Sequence, residues 1–229
     1  MKKYFILLSA CLAILQVVAQ DISVLVKNVK TKIGKVNDYE VSGKMKTNVA
    51  FLKVPVANIK IYFKRPNRLK IKSEKGITFI PKGAVSINMN NILRDNKYTV
   101  IDAGSDKIGG YPVRIAKLLP ENDTSDVVLS TLYIDPIHNL IRRAKTTTRD
   151  NGTYELELVY GKYAGYALPD KIVFSFNTKD YKLPKGVTFD FDDGSGSKQK
   201  DIPANRKGKA EITFKEYSIN KGLADVIFK

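Results

Sequence analysis

The chain has 229 residues, of which 43% are hydrophobic and 27% charged, a globular composition that excludes a disordered or fibrous protein. One cysteine cannot form an internal disulfide, and together with one histidine it excludes the usual zinc clusters. The formal net charge of +16 favours contact with anionic molecules or surfaces.

Residues 1–19 have the layout of a secretory signal peptide. Lys2 and Lys3 precede the apolar segment 5–18, and Ala19 ends a run of short side chains suited to cleavage. The competing interpretation is a lipobox ending at Cys11, which would anchor the protein to a membrane. Cleavage there leaves a short apolar region before Cys11, so we expect cleavage after Ala19 and an exported protein. Residues 20–229 are then predicted to form a single domain.

The first element after the signal peptide is predicted to be an amphipathic helix over 21–36. Apolar residues recur there at spacings of three and four, with lysines between them. They are Ile22, Leu25, Val29, Ile33 and Val36. A second, short helix is predicted over 85–94, where Val85, Met89 and Ile92 share one face.

Elsewhere apolar and polar residues alternate with a period of two, which predicts β-strands. The alternating segments are 59–64, 68–72, 154–160, 172–176, 187–191 and the residues around 212–214. Turn residues separate them, and Asn151-Gly152 gives the strongest prediction of a hairpin, with a type I′ turn. The pattern predicts an antiparallel meander of about nine to eleven strands. An exposed loop is predicted over 194–209, before the last strand.

Most of these strands have one apolar face, which must be covered. Two helices are too few to cover ten strands, so the sheet is predicted to curl into a partly closed barrel with its apolar face inside. The helices would then lie over the mouth of the barrel. The segment 127–134 is apolar on both faces and is predicted to be buried on both sides. The alternative interpretation is an ordinary packed core.

Two segments resemble the LolA-type periplasmic lipoprotein carriers. Residues 61–71 match the element in which an apolar strand runs into Arg65-Pro66 and a second strand follows. Residues 132–143, which include Asp135-Pro136, resemble the later hairpin shared by LolA, LolB and the RseB/MucB regulators. The resemblance implies a mainly β (α+β) fold: an incomplete antiparallel β-barrel with helices as a lid over an apolar cavity. It also implies a periplasmic location.

The function that the resemblance implies is non-enzymatic binding of lipids or lipoprotein acyl chains, in outer-membrane lipoprotein sorting or lipid handling. The predicted cavity wall consists of Ile59, Ile61, Phe63, Leu69, Ile71, Phe79 and Leu129. Arg65 matches the carriers' arginine that bonds to the lid helices, which makes it the predicted lid latch. Its alternative role is that of an exposed turn arginine. A second hypothesis is a regulatory or scaffold protein of RseB type that docks a partner protein through a basic face.

Positive charge is concentrated over 27–75, a segment that contains fourteen basic residues and only three acidic ones. Strand alternation predicts a cationic patch on the outer face, formed by Lys60, Lys64, Arg68, Lys70 and Lys72. Such a patch suits an anionic membrane surface or an outer-membrane acceptor. A purely solubilising surface is the alternative. Nucleic acid is not expected, because the protein is exported and has no recognition motif. We expect a monomer.

The sequence lacks the motifs of the common catalytic and nucleotide-binding sites. His138 is the only histidine, and without a thiol nearby it is poorly suited to a nucleophilic triad. We therefore expect no catalytic residue, no metal and no cofactor.

Overall fold

A computed structural model describes residues 21–48, 56–73, 93, 97–122, 125–149, 152–177 and 207–229. Within these ranges the chain forms one α-helix, α1 (Ile22–Ile33), two short 3₁₀ helices (Ala164–Tyr166 and Asp225–Phe228) and ten strands. The strands are β1 (Asp38–Asn48), β2 (Ala57–Lys64), β3 (Arg68–Ser73), β4 (Tyr98–Ile108), β5 (Tyr111–Pro120), β6 (Val127–Asp135), β7 (Leu140–Thr148), β8 (Gly152–Val159), β9 (Lys171–Asn177) and β10 (Lys207–Ile219).

The strands form one sheet in the order β3-β2-β1-β10-β9-β8-β7-β6-β5-β4. Every neighbouring pair is antiparallel. The strands β3 and β4, which follow one another along the chain, are the two edges of the sheet. The sheet is therefore an open, incompletely closed barrel. This confirms the predicted fold, and ten strands lie within the predicted range of nine to eleven.

The hairpin predicted at Asn151-Gly152 is present between β7 and β8. Thr148 pairs with Gly152, so three residues connect the two strands. A type I′ turn would have two. Gly152 has a φ of 66°, a left-handed conformation that glycine adopts without steric cost. The sequence therefore placed the hairpin correctly but not its turn type.

One face of the sheet is apolar and buried. Residues directly opposite each other on antiparallel strands point to the same face, and the register joins Ile61 to Val41, Leu156 to Phe174, and Leu132 to Ala144. All six of these side chains belong to one buried hydrophobic cluster, which extends along the sheet from β2 to β5. We call this the inner face.

The helix α1 covers part of the inner face. Asp21 caps its first turn by accepting a hydrogen bond from the Ser23 amide at 2.8 Å. Its buried residues are Ile22, Leu25, Val26 and Val29, and they join the same hydrophobic cluster as the sheet. The helix predicted over 21–36 is thus confirmed, with its last residue at Ile33.

Two sequence predictions differ from the structure. The segment 127–134 is buried on one side only: Ser130, Leu132 and Ile134 are buried, whereas Val128 is 46% exposed. An apolar run therefore did not indicate two covered faces here, because β-branched residues also suit the half-exposed outer face of a sheet. The predicted loop 194–209 also ends earlier than expected, because β10 begins at Lys207.

Other predictions fall on residues outside the described ranges. These are the signal peptide over 1–19 with Cys11, nearly all of the helix over 85–94, the strand over 187–191, and loop residues 194–206. Leu93 is described, and it is buried in the hydrophobic cluster with 2% exposure.

Candidate functional site

The gap between the edge strands β3 and β4 is where the barrel is open. The helix α1 lies beside this gap, in contact with β4 and β5. A groove of about 540 Å³ runs along the helix there. It is lined by Ser23, Val26, Lys27, Lys30, Thr31, Gly34, Arg65, Tyr98 and Val100. This volume lies within the usual range for sites that hold small ligands.

Five of the groove residues belong to α1 and Gly34 is its C-cap; the six recur at spacings of three and four, which places them on one face of the helix. Val26 is shared between the groove and the hydrophobic cluster. Tyr98 and Val100, on the edge strand β4, are partly buried and pack against the same cluster. The floor of the groove is therefore continuous with the apolar interior, whereas Lys27, Lys30 and Arg65 carry positive charge at its edge.

Arg65, the predicted lid latch, lies in the turn between β2 and β3 and is exposed. Its amide donates a hydrogen bond to the Asn37 carbonyl at 2.8 Å, just beyond the end of α1. Its Nη2 lies 3.5 Å from the position that a Cβ would occupy at Gly34, the C-cap residue of the helix. A guanidinium here faces the negative end of the helix dipole. The structure therefore places Arg65 between the sheet and the lid helix.

The predicted cavity-wall residues of β2 and β3 lie on the inner face. Ile59, Ile61 and Phe63 are at most 4% exposed and belong to the hydrophobic cluster. Leu69 pairs with Phe63 and Ile71 pairs with Ile61, so both face the same interior, and both are only partly buried. Phe79 lies outside the described residues.

Leu129 lies on the opposite face of the sheet, so its assignment to the cavity wall was wrong. It pairs with Thr147, whereas the inner-face residue of β6 at this level is Ser130, which pairs with the buried Thr146. A register irregularity between Val127 and Leu129 accompanies this placement. Because successive side chains of a strand alternate between faces, the apolar run by itself could not identify which residues point inward.

The five residues of the predicted cationic patch do share the outer face of β2 and β3. The register pairs Lys60 with Lys72 and Lys64 with Arg68. However, the end of the described chain packs against them. Lys64 donates to the Leu223 carbonyl at 2.7 Å and pairs with Asp225 at 2.6 Å.

Two more cations of the patch contact the same segment. Arg68 pairs with Asp225 at 2.7 Å, and Lys70 donates to the Lys229 carbonyl at 2.6 Å. Lys60 forms an ion pair with Glu40. Hydrogen bonds to Lys64 and Arg68 lower the pKa of the Asp225 carboxyl, which keeps it ionised beside them. The cations of the patch are therefore largely engaged within the chain itself.

A buried polar network, which the sequence did not reveal, lies at the β6–β7 turn. The Asp135 carboxylate accepts hydrogen bonds from the Ile137 and His138 amides, at 3.0 and 3.1 Å. It also accepts from Arg142 Nη2 and from His138 Nδ1, both at 2.8 Å. Arg142 in turn lies 3.7 Å above the Tyr111 ring. The only signal in the sequence was the Asp135-Pro136 turn.

The charge of Asp135 is set by opposing effects. Burial alone would raise the pKa of this carboxyl, but the hydrogen bonds from Arg142 and His138 together outweigh burial and lower the pKa below its usual value. Asp135 is therefore ionised at neutral pH although it is only 1% exposed.

The same turn holds the lid helix. Lys32, in the last turn of α1, donates a hydrogen bond to the His138 carbonyl at 2.6 Å. The pKa of the Lys32 ammonium is lowered overall, because burial and the neighbouring positive charge of Lys35 outweigh the opposing effect of Asp135. Polar contacts tie the C-terminal end of the helix to the β6–β7 turn through Lys32 and to the β2–β3 turn through the Arg65 amide. A further hydrogen bond joins it to Asn220, whose side-chain amide donates to the Lys35 carbonyl at 2.9 Å.

The described residues contain no group of three or more histidine, cysteine or acidic side chains that could hold a metal ion. Within the same part of the chain, no helix has the length and apolar character needed to cross a membrane.

Comparison with solved structures identifies the class of fold. A DUF1329 family protein from Desulfovibrio piger aligns over 90% of this chain and 94% of its own, with a TM-score of 0.56 at 12% identity. A domain of a putative outer membrane lipoprotein-sorting protein from Vibrio parahaemolyticus aligns over 90% and 94%, with a TM-score of 0.52 at 11% identity. The chain therefore has a LolA-like fold, as the resemblance at Arg65-Pro66 predicted.

A third structure agrees with this result. A LolA superfamily protein from Nitrosomonas europaea aligns over 89% of this chain and 97% of its own, with a TM-score of 0.53 at 9% identity. The sequence matches no protein-family model. It also matches no curated protein sequence. At these identities the likeness defines the fold, and the function must be argued from the residues of the chain.

Proposed function

We propose that the protein is a non-enzymatic carrier or binder of lipids or lipoprotein acyl chains. The observation that carries this proposal is the apolar inner face of an open sheet, covered by a helix next to the gap between its two edges. LolA-like neighbours, one of them described as a lipoprotein-sorting domain, support a carrier role.

The physical demand on such a protein is large. Removing an acyl chain from water is worth about 0.8 kcal/mol per methylene, or roughly 12 kcal/mol for ~15 methylenes. Only a long apolar surface can compensate for this. The inner face supplies that surface, and Ile59, Ile61, Phe63, Leu69 and Ile71 are our proposed contacts.

Ligand access requires the helix to move, because the innermost residues are already buried. Leu25 of α1 has 0% exposure and is part of the same cluster as Ile59 and Phe63. We propose that α1 is the lid and that Arg65 acts as its latch, since its guanidinium lies beside the C-cap of the helix. A lid held by few polar contacts can open and admit a ligand on a fast timescale.

The first experiment asks whether a ligand is present and whether one can be taken up. Native mass spectrometry and organic extraction of the purified protein should detect a co-purifying lipid, and a fluorescent fatty acid should bind and be displaced by unlabelled chains. Repeated absence of lipid together with no uptake would refute the carrier function.

A matched pair of variants tests which face binds. Ile71 and Ile115 are both partly buried, but Ile71 pairs with the inner-face Ile61, whereas Ile115 pairs with Tyr133 on the outer face. Ile71→Ser should weaken fatty-acid binding, while Ile115→Ser should not, at similar thermal stability. Equal effects of the two substitutions would show that binding does not use the inner face.

A third variant tests the latch. Arg65→Leu removes the charge beside the helix end and should change the rate at which a bound chain is released, without unfolding the protein. If Arg65→Leu simply unfolds, Arg65 is structural and the latch assignment fails.

We place the protein in the periplasm, either exported and free or anchored through Cys11. Its partners would be a lipid or lipoprotein acyl chain and an anionic membrane surface or outer-membrane acceptor. We do not favour docking of a regulatory partner through the basic face, because Lys64, Arg68 and Lys70 already contact residues 223–229.

A further inference from the structure

The groove beside α1 combines positive charge with access to the apolar interior. Among the described residues that line it, Lys27, Lys30 and Arg65 are cationic and none is acidic. Lys27 and Arg65 are exposed, and neither forms an ion pair with another described residue. In this they differ from the outer-face cations, which are engaged by Glu40, Asp225 and backbone carbonyls.

The apolar part of the groove leads inward. Val26 is 2% exposed and belongs both to the groove and to the buried cluster beneath the helix. Tyr98 and Val100 continue this surface onto the exposed edge strand β4. A molecule with its polar end at Lys27 and Arg65 would therefore have its apolar end directed toward the inner face.

We propose that this groove makes the protein selective for amphiphiles with an anionic head group, a carboxylate or a phosphate. Neutral or zwitterionic amphiphiles with the same chain would bind more weakly. The inference rests on the proposed function and adds the class of head group. Its physical basis is that cations at the edge of a partly apolar groove attract an anion more strongly than the same cations do in open solvent.

The experiment compares two pairs of ligands, each pair matched in its hydrocarbon chain: dodecanoate with monododecanoyl glycerol, and dodecyl phosphate with dodecylphosphocholine. Each ligand is used below its own critical micelle concentration to displace a fluorescent fatty acid from the full-length protein. We expect both anionic ligands to bind about tenfold more tightly than the other two, and we expect the difference to shrink as salt is raised. Comparison of dodecanoate with dodecyl phosphate distinguishes a preference for one anion from a general one.

Two variants assign the selectivity to the groove. Lys27→Gln and Lys27→Gln/Arg65→Gln remove charge at its edge, and glutamine retains a high helix propensity at position 27. The matched control is Lys44→Gln, which removes one charge from an exposed position on β1. The double variant should reduce the preference for anionic ligands by at least about fivefold, and Lys44→Gln should leave it unchanged.

Each outcome decides between the two proposals. Equal affinity of the native chain for all four ligands would overturn the head-group inference while leaving the carrier function intact. The same holds if Lys44→Gln weakens anionic binding as much as Lys27→Gln, because the effect would then be one of net charge. Failure of every ligand to bind would overturn both.

Discussion

The Asp135–Arg142 pair offers the sharpest test of how the fold is held around its lid. Both side chains are buried, with exposures of 1% and 8%, and their oxygen and nitrogen atoms lie 2.8 Å apart. Asp135→Asn keeps the size of the residue and an oxygen for the Ile137 and His138 amides, but it leaves the Arg142 guanidinium buried without a counter-charge. Breaking a buried pair in this way costs about 3–5 kcal/mol.

The control is an ion pair of the same chemistry near the surface. Arg114 and Asp102 lie 2.5 Å apart, with side chains 21% and 43% exposed. Because water screens this pair, Asp102→Asn should cost no more than about 1 kcal/mol. Urea denaturation followed by circular dichroism at pH 7 measures both free energies of unfolding.

A double-mutant cycle completes the test. In Asp135→Asn/Arg142→Met the unpaired charge is gone and an apolar chain can remain against Tyr111. The double variant should therefore be more stable than the sum of the single effects predicts, by about 2 kcal/mol or more. If Asp135→Asn costs no more than Asp102→Asn, the buried pair does not stabilise the β6–β7 turn.

Three further predictions concern pH, packing and the basic face. Folding lowers the pKa of the Asp135 carboxyl below its usual value of about 3.9. The stability that this carboxylate contributes should be complete above that value and lost as pH falls through the folded pKa. The stability of Asp135→Asn should therefore depend less on pH during acid unfolding than that of the native protein. Gly43→Ala should lower the melting temperature and cost about 1–3 kcal/mol, because a Cβ there would lie 2.7 Å from the Thr213 carbonyl oxygen. Asp225→Asn should increase binding to anionic vesicles in a sedimentation assay at low salt, because it releases Lys64 and Arg68; unchanged binding would show that these cations do not reach the membrane surface.

Part of the candidate site could be predicted from residues close together in sequence. The alternation of Ile59, Ile61 and Phe63 with polar residues identified an apolar strand face, and the short turn at Arg65-Pro66 brought Leu69 and Ile71 onto the same face. The assignment failed at Leu129, which follows Val127 and Val128 in an apolar run, because the register alone decides which of these residues point inward.

Other features depend on contacts between distant segments. The groove joins α1, the β2–β3 turn and β4, and the Lys32–His138 contact joins residues 106 positions apart. The charge of the outer face shows the same limit. Alternation placed Lys64 and Arg68 there correctly, but their partner Asp225 lies more than 150 positions away, and the sequence has no local pattern that indicates such a pairing.

By itself, then, the sequence determined local conformations: the helix within 21–36, the strands β2, β3, β8 and β9, and the position of the β7–β8 hairpin, because the periodicity of apolar residues and the turn chemistry act over a few neighbours. The tertiary structure decided how β1 meets β10, where the barrel stays open, and which cations remain available beside that opening. These depend on strand order and register, which are set by packing across the whole sheet and which no short segment encodes.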